Sequence, residues 1–312
     1  MSKSCVIIGG EVAGPAIALA LSKIGISCSI HELRDEPSSV GGAINLTPSA
    51  LRVLKDLGVA VFGCTVTSIE FWSLHTAGKL GEMPFRGTDG QALRMLRKDL
   101  QNSLLAAVEN AGITTNYGSK LASLRDDVTK DKITAEFENG DSVQADFIVG
   151  CDGIHSAVRS KYVEPARKPI YTDTAGTYSV VNLESIKSAV HFQDTALNMS
   201  RYGSILTSFI DPARTRVYLA AVMETKAQVS ETGRAHGSDH TAILDDLHRR
   251  YDNSSIPCIP HLINQLEDLF LYPIFKLGPA GQWSRGKAML IGDAAHAVHQ
   301  LALMMAAELT HL

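Results

Sequence analysis

The feature that most constrains this chain is a glycine turn directly after a short apolar run. Cys5-Val6-Ile7-Ile8 leads straight into Gly9-Gly10-Glu11-Val12-Ala13-Gly14. A short, mostly β-branched apolar run bounded by glycine reads as a buried parallel strand. Ala16 to Lys23 then reads as a helix and Ser27 to His31 as a second strand, closed by Glu32. Together they make a β-α-β unit of about thirty residues. The G-x-G-x-x-G fingerprint needs its first glycine for a tight turn, its second for backbone approach to a pyrophosphate, and its third for close helix–strand packing. Gly9 and Gly14 hold the first and third positions, Gly10 adds flexibility, and Glu11 occupies the middle. A carboxylate there repels a pyrophosphate unless it points outward. Glu32, 18 residues beyond Gly14 at the end of the second strand, is placed to accept hydrogen bonds from ribose hydroxyls. The turn alone is compatible with an ordinary βα connection; turn and acid together predict nucleotide binding.

Composition narrows the class. The chain has 312 residues, a net charge of −4 and no basic block, so no nucleic-acid partner is expected. Its length suggests two domains. The five cysteines are scattered, odd in number and lack a C-x-x-C pair, which predicts neither a disulfide framework nor a zinc site. A reducing, cytoplasmic location is expected, with peripheral membrane contact left open. Lys3 and the apolar stretch after it imitate a signal peptide, but Gly9, Gly10, Gly14 and Pro15 interrupt it. No apolar run reaches the length of a transmembrane helix.

Further along, Thr47-Pro48 predicts a helix start and Gly58 a stop for Ser49 to Leu57. Asp99 to Ala111 reads as an amphipathic helix. Ile133 to Phe137 and Ser142 to Gln144 read as a hairpin around Asn139-Gly140, a type I′ signal. Phe147 to Val149 is another buried strand. From about residue 170 the texture changes: Thr177 to Leu183, Ile205 to Phe209 and Val217 to Met223 predict antiparallel strands, Thr225 to His240 a polar loop, and Thr241 to Arg250 a helix. Ala288 to Ile291 returns to the buried-strand style, before Gly292-Asp293 and a final helix.

Two long motifs identify a resemblance. Ala145-Asp-Phe-Ile-Val-Gly-Cys-Asp-Gly-Ile-His-Ser-Ala-Val-Arg159 has the form of the Asp-Gly motif of flavoprotein monooxygenases. Gly286-Lys-Ala-Met-Leu-Ile-Gly-Asp-Ala-Ala-His-Ala297 has the form of their Gly-Asp motif. The chain resembles class A FAD-dependent monooxygenases of the aromatic-hydroxylase type over essentially its whole length. The resemblance implies an α/β fold: a Rossmann-like FAD-binding domain, discontinuous over 1–70, 92–165 and 277–312, with an inserted substrate domain, 71–91 and 166–276, on a mainly antiparallel sheet. It implies FAD as cofactor and NAD(P)H as a transient co-substrate, since no second dinucleotide fingerprint is visible. Molecular oxygen would react with reduced flavin, and a C4a-hydroperoxide would hydroxylate or epoxidise a small aromatic or alkene-containing substrate.

The resemblance also implies site residues. Glu32 would hold the adenosine ribose, and Gly9, Gly10 and Gly14 would admit the pyrophosphate. Gly41-Gly42-Ala43-Ile44-Asn45 resembles the small-residue loop beside the isoalloxazine, with Ala43 at the flavin contact. Arg97 resembles the family's arginine that reaches FAD, Asp152 lies in the segment that helps seat it, and Asp293 would bond the ribityl chain. Asp293, His296 and His299 imitate a metal ligand set by their helical spacing, but the Gly-Asp motif gives Asp293 a cofactor role and no metal is expected.

Two departures stand out. Relatives carry a Pro-rich turn and a Gly-Gln-Gly loop after the Gly-Asp motif; this chain has no glycine over Ala297 to Glu308, with Met305 and Ala306 where the loop would end. That, with the end at Leu312, leads to the expectation of a C-terminally truncated member that holds FAD loosely. Second, Val181 stands where some phenol hydroxylases carry an arginine, which leaves Arg201, Tyr202 and Tyr218 as candidates for positioning a polar substrate. Two other readings stay open on sequence alone: a flavoprotein oxidase or dehydrogenase, and an FAD-poor, non-catalytic homologue.

Overall fold

The structure is a computed structural model describing residues 2–37, 42–85, 92–185, 189–225, 240–267, 269 and 271–298. Met305, Ala306 and His299 lie outside the described residues, as does most of the polar stretch after Thr225.

The first strand, β1 (Ser4–Ile8), sits inside a six-stranded sheet. It pairs in parallel with β2 (Ser27–His31) on one side and β12 (Phe147–Gly150) on the other. The sheet extends through β8 (Thr114–Asn116) beyond β2, and through β19 (Ala288–Leu290) and β18 (Ser284–Arg285) beyond β12. Side chains alternate across β1. Cys5 and Ile7 pack with α1 (Ala13–Lys23) and α3 (Arg97–Asn110), while Val6 and Ile8 pack against Leu121, Ile133 and Phe137 of the opposite layer. That layer is a small sheet of β9 (Leu121–Asp127), β10 (Lys132–Phe137) and β11 (Ser142–Ala145). Burial on both faces is why this strand reads as an unbroken apolar run rather than an alternating one.

Helix α1 begins at Ala13, three residues before the sequence places it. Pro15 falls in its first turn, where the missing N–H has no intrahelical partner to lose. Helix α2 (Pro48–Leu57) follows its signals: the Thr47 hydroxyl accepts from Ala50 N at 3.4 Å, and Gly58 closes it with φ +79°. The Asn139-Gly140 turn is not type I′, which needs positive φ at both central residues. Only Gly140 has it, at +91°; Gly140 N donates to Phe137 O and Phe137 N to Asp141 O. This is a three-residue loop with glycine in the left-handed position.

The inserted region forms a seven-stranded sheet in the order β17 (Tyr272–Lys276), β13 (Ile170–Asn182), β16 (Arg216–Glu224), β15 (Gly203–Phe209), β14 (Thr195–Ser200), β5 (Ser68–Ser73) and β6 (Lys79–Pro84). Its neighbours are antiparallel except β14 and β5, which run parallel. One face packs on α4 (His240–Tyr251) and α5 (Cys258–Ile263). The other carries Tyr178, Tyr218, Leu206 and Leu197 and meets Ala43 and Leu96. Those two belong to a three-stranded sheet, β3 (Ala43–Leu46), β7 (Ala92–Leu96) and β4 (Cys64–Val66), which lies between the two larger sheets. A last short helix, α6 (Asp293–His296), follows β19.

Candidate active site

The glycine turn is built for close approach. Gly9 has φ +110°, and a Cβ there would lie 2.5 Å from Cys151 O, at the end of the neighbouring strand. A Cβ on Gly14 would overlap the Gly9 carbonyl oxygen. Gln101, buried on α3, donates from Nε2 to Gly10 O at 3.2 Å and fixes the turn from the other side. The start of α1 has no capping side chain, so its N–H groups and the positive end of the helix dipole remain available to an anion.

Glu32 is 8% exposed and closes on this turn. Its Oε2 accepts from Gly10 N at 2.7 Å and its Oε1 from Arg34 N at 3.0 Å. Each carboxylate oxygen keeps a further lone pair for a ribose hydroxyl. Glu11 points away from the turn into two arginines, with Arg34 Nη1 at 2.7 Å and Arg97 Nη2 at 3.1 Å. Burial raises the Glu11 pKa, but the charge of Arg97 and the bond from Arg34 outweigh it, and the group stays below its ordinary value. The arginine pair thus answers the repulsion that the sequence raises, and it places Arg97 at the mouth of the turn. Replacing Glu32 with alanine is expected to weaken FAD binding by about 1.5–3 kcal/mol, the range for hydrogen bonds to a charged group. A titration of the apoprotein with FAD checks this; an unchanged Kd would exclude the role.

The two long motifs meet at this turn. A Cβ on Gly292 would lie 3.5 Å from the Cβ of Ala13, which sets the exposed Asp293 beside the start of α1. Asp152 Oδ2 accepts from Ala157 N at 2.6 Å and Val158 N at 3.0 Å, while its Oδ1 is enclosed without a partner. Burial raises its pKa, against the opposing hydrogen bonds of the Ser156 side chain and of the Val158 and Ala157 backbone. Arg159, 1% exposed, joins the motifs. Its Nη1 donates to Ala294 O at 2.7 Å, Nη2 to Ile154 O, and Nε to Arg167 O at 3.4 Å. Arg167 Nη1 donates to Ala295 O at 3.0 Å. His155 stands edge-on to Phe275, and His296 stacks on Trp283. Among the described residues no three His, Cys, Asp or Glu side chains gather as a metal site.

Opposite the turn, Gly42 and Ala43 face the seven-stranded sheet. A side chain on Gly42 would collide with the Tyr218 hydroxyl. Tyr178 stacks on Tyr272 at 5.2 Å and lies 5.8 Å from Tyr218, giving an aromatic wall on β13, β16 and β17. Tyr218 is buried, and burial pushes its phenol up to about 12, against the opposing hydrogen bond from the Ala43 backbone and the charge of Arg94. The neutral form is therefore favoured, and this contribution to stability is full below the ordinary pKa near 10 and lost as pH rises through about 12. The phenolate absorbance difference between the protein and Tyr218→Phe is expected to develop above pH 11. A difference fully developed by pH 10 would contradict the buried setting.

Arg201 and Tyr202 sit elsewhere. They occupy the exposed turn between β14 and β15, where Arg201 lies over the Tyr202 ring and Arg250 Nη1 donates to Tyr202 O at 3.0 Å. That turn lies beyond the Ser204–Val222 pair, whereas Tyr218 sits opposite Ser208, about 13 Å along the sheet. Val181 is buried beside Val217 in the core under α4 and α5. Sequence reasoning missed Tyr178, Tyr272 and Arg94. The signal for Arg94 was visible: a lone charge in the apolar run Ala92-Leu93-Arg94-Met95-Leu96.

The geometry fits a dinucleotide laid along the turn: an uncapped helix start, glycines where a Cβ would collide, an acid at the strand end, and an enclosed carboxylate oxygen on Asp152 without a partner. Comparison with known proteins agrees. The family model described as FAD binding domain matches residues 2–301. The chain is 27% identical over 304 residues to the FAD-dependent urate hydroxylase of Mycolicibacterium vanbaalenii, covering 93% of this chain and 73% of that protein. It is 25% identical over 300 residues to 3-amino-4-hydroxybenzoate 2-monooxygenase PtnB3 of Streptomyces platensis, covering 93% and 72%. The fold superposes on Klebsiella pneumoniae HpxO complexed with FAD and uric acid with a TM-score of 0.80, at 20% identity, over 95% of this chain and 74% of that one. The chain belongs to the FAD-binding-domain family, as a flavoprotein of the class A FAD-dependent monooxygenase type. Its cofactor is FAD.

Proposed function

We propose that this enzyme hydroxylates a small aromatic substrate with NAD(P)H and molecular oxygen. The observation that carries the reading is the tyrosine wall of Tyr178, Tyr218 and Tyr272 facing the Gly42-Ala43 loop, with the glycine turn, Glu32 and Asp293 aligned for FAD on the near side. Bound FAD supplies the redox and oxygen-transfer chemistry, and the protein supplies position and electrostatics. Flat aromatic side chains stack on a planar ring, and the buried Tyr218 phenol stays a hydrogen-bond donor at neutral pH. Gly42 leaves room at the flavin edge that a side chain would fill. Glu32, Arg97, Ala43, Asp152 and Asp293, with Gly9, Gly10 and Gly14, are the proposed FAD contacts; Tyr218 is the proposed substrate contact. Arg201 and Tyr202 have no support from proximity to that wall.

A division into an FAD unit, 1–70, 92–165 and 277–312, and a substrate unit, 71–91 and 166–276, is supported by the sheets of the described residues except at β5, which the boundary after residue 70 cuts in its middle. No described helix is long and apolar enough to cross a membrane. The odd number and scatter of the five cysteines are the basis for proposing a reducing, cytoplasmic setting. The test is a visible spectrum of the purified protein followed by NAD(P)H oxidation with and without an aromatic panel. Bound flavin with oxidation stimulated by an aromatic compound supports the reading. Flavin reduced equally fast with none, and peroxide as the sole oxygen product under all conditions, would favour an oxidase.

A further inference from the structure

Arg94 is an unexplained charge. It lies in the middle of β7 and is 1% exposed, yet its Nε and Nη2 have no hydrogen-bond partner. These two nitrogens form one edge of the guanidinium, the side-on fork that receives two acceptor oxygens in parallel. Burial pushes the Arg94 pKa down to about 10, which leaves it charged at neutral pH. Burying a charge with two of its donors unpaired is costly, and a ligand that accepts from both would offset that cost.

Its surroundings point the same way. Asn45 lies directly opposite Arg94 across β3 and β7, so the two side chains share a face, and Asn45 Oδ1 is also enclosed without a partner. Cys64 lies opposite on the other side, across β4. The row therefore runs Asn45–Arg94–Cys64 across the small sheet. Arg94 and Tyr218 interact electrostatically, and Tyr218 is the residue that meets Gly42 and Ala43. The free edge of a guanidinium and an amide acceptor thus share one face of the small sheet, in electrostatic reach of the neutral phenol that meets Gly42.

We propose that Arg94 anchors a carboxylate carried by the aromatic substrate, through a two-point hydrogen bond from Nε and Nη2, with Asn45 accepting from a neighbouring hydroxyl or amino group. This rests on the aromatic-hydroxylase reading and narrows it to aromatic acids with an adjacent donor. Arg94 is a specificity residue in this assignment, not a source of protons.

The experiment uses the FAD-loaded protein with paired probes: salicylate against salicylamide, and 2-aminobenzoate against 2-aminobenzamide. Binding is read from the flavin absorbance change and from ligand-induced shifts of the thermal midpoint. The protein is expected to bind at least one acid in preference to its amide. Arg94→Met is expected to weaken that acid about 10- to 100-fold and leave the amide within a few-fold. Arg94→Lys, which keeps the charge but loses the fork, is expected to fall between. Without ligand, Arg94→Met is expected to melt no lower than the parent, because a buried charge with two unpaired donors has been removed. A lower midpoint without ligand, equal loss of acid and amide, or binding of amides alone would overturn the assignment. Aromatic-stimulated NAD(P)H oxidation that persists with neutral compounds would leave the hydroxylase reading standing while removing this one.

Discussion

Replacing Gly14 with alanine is expected to abolish flavin retention and to destabilise the first β-α-β unit. A Cβ at this position overlaps the carbonyl oxygen of Gly9, and Gly9 itself has φ +110° and packs against Cys151. Neither backbone can yield without opening the junction between β1, β12 and α1, because Ile7 and Ile8 are 0% and 4% exposed and packed on both faces. Overpacking costs typically about 1–3 kcal/mol where side chains can adjust, and more where backbone must move. The check is the ratio of flavin to protein absorbance after purification, with a thermal melt beside it. Full flavin and an unchanged melt in Gly14→Ala would mean that the turn is looser than its geometry.

The second large effect is expected at Arg159. Replacing it with leucine removes the donor to three backbone carbonyls: Ala294, Ile154 and Arg167. The buried Ala294 carbonyl left without a partner costs about 1–3 kcal/mol, and the part-buried Ile154 and Arg167 carbonyls cost less because water can reach them. Relief from burying the guanidinium offsets part of this. Burial already holds the Arg159 pKa below its ordinary value, against the favourable charge of Asp152, so the offset is real. A net loss of about 2–4 kcal/mol follows, with a drop in thermal midpoint of about 3–6 °C for a chain of this length. FAD should also be released more readily, because Arg159 fixes the Asp-Gly segment to the Gly-Asp helix across 135 residues of sequence. A thermal melt and an FAD off-rate in the same variant separate the two effects. An unchanged melt would show that Arg167, which binds Ala295 O, is sufficient alone.

These two residues mark what sequence makes visible. The glycine turn, Glu32 and the two long motifs are local patterns whose residue types are dictated by backbone geometry, so they were legible. Thr47, Pro48 and Gly58 bounded α2 for the same reason. Glu11 at the middle of the fingerprint was legible as a problem but not as a solution, since Arg97 lies 86 positions away. The parallel pairing of β14 with β5 brings residues more than a hundred positions apart together, and no local period encodes it. The tyrosine wall gathers Tyr178, Tyr218 and Tyr272 from three strands whose register is set by the sheet. Tyr218 was found by its type; Tyr178 and Tyr272 needed the fold. Arg201 and Tyr202, candidates on the same argument from residue type, sit on a solvent-facing turn, because residue type does not say which end of a strand meets the cofactor.

The central claim is oxygen transfer to an aromatic substrate by an FAD enzyme, and the most direct measurement is the fate of ¹⁸O₂. FAD-loaded protein is supplied with NAD(P)H, ¹⁸O₂ and the aromatic compound that best stimulates NAD(P)H oxidation, and the product is analysed by mass spectrometry. One ¹⁸O atom is expected in the hydroxylated product. Stimulated consumption of NAD(P)H and oxygen with all the label in hydrogen peroxide or water, and none in any organic product, would contradict it.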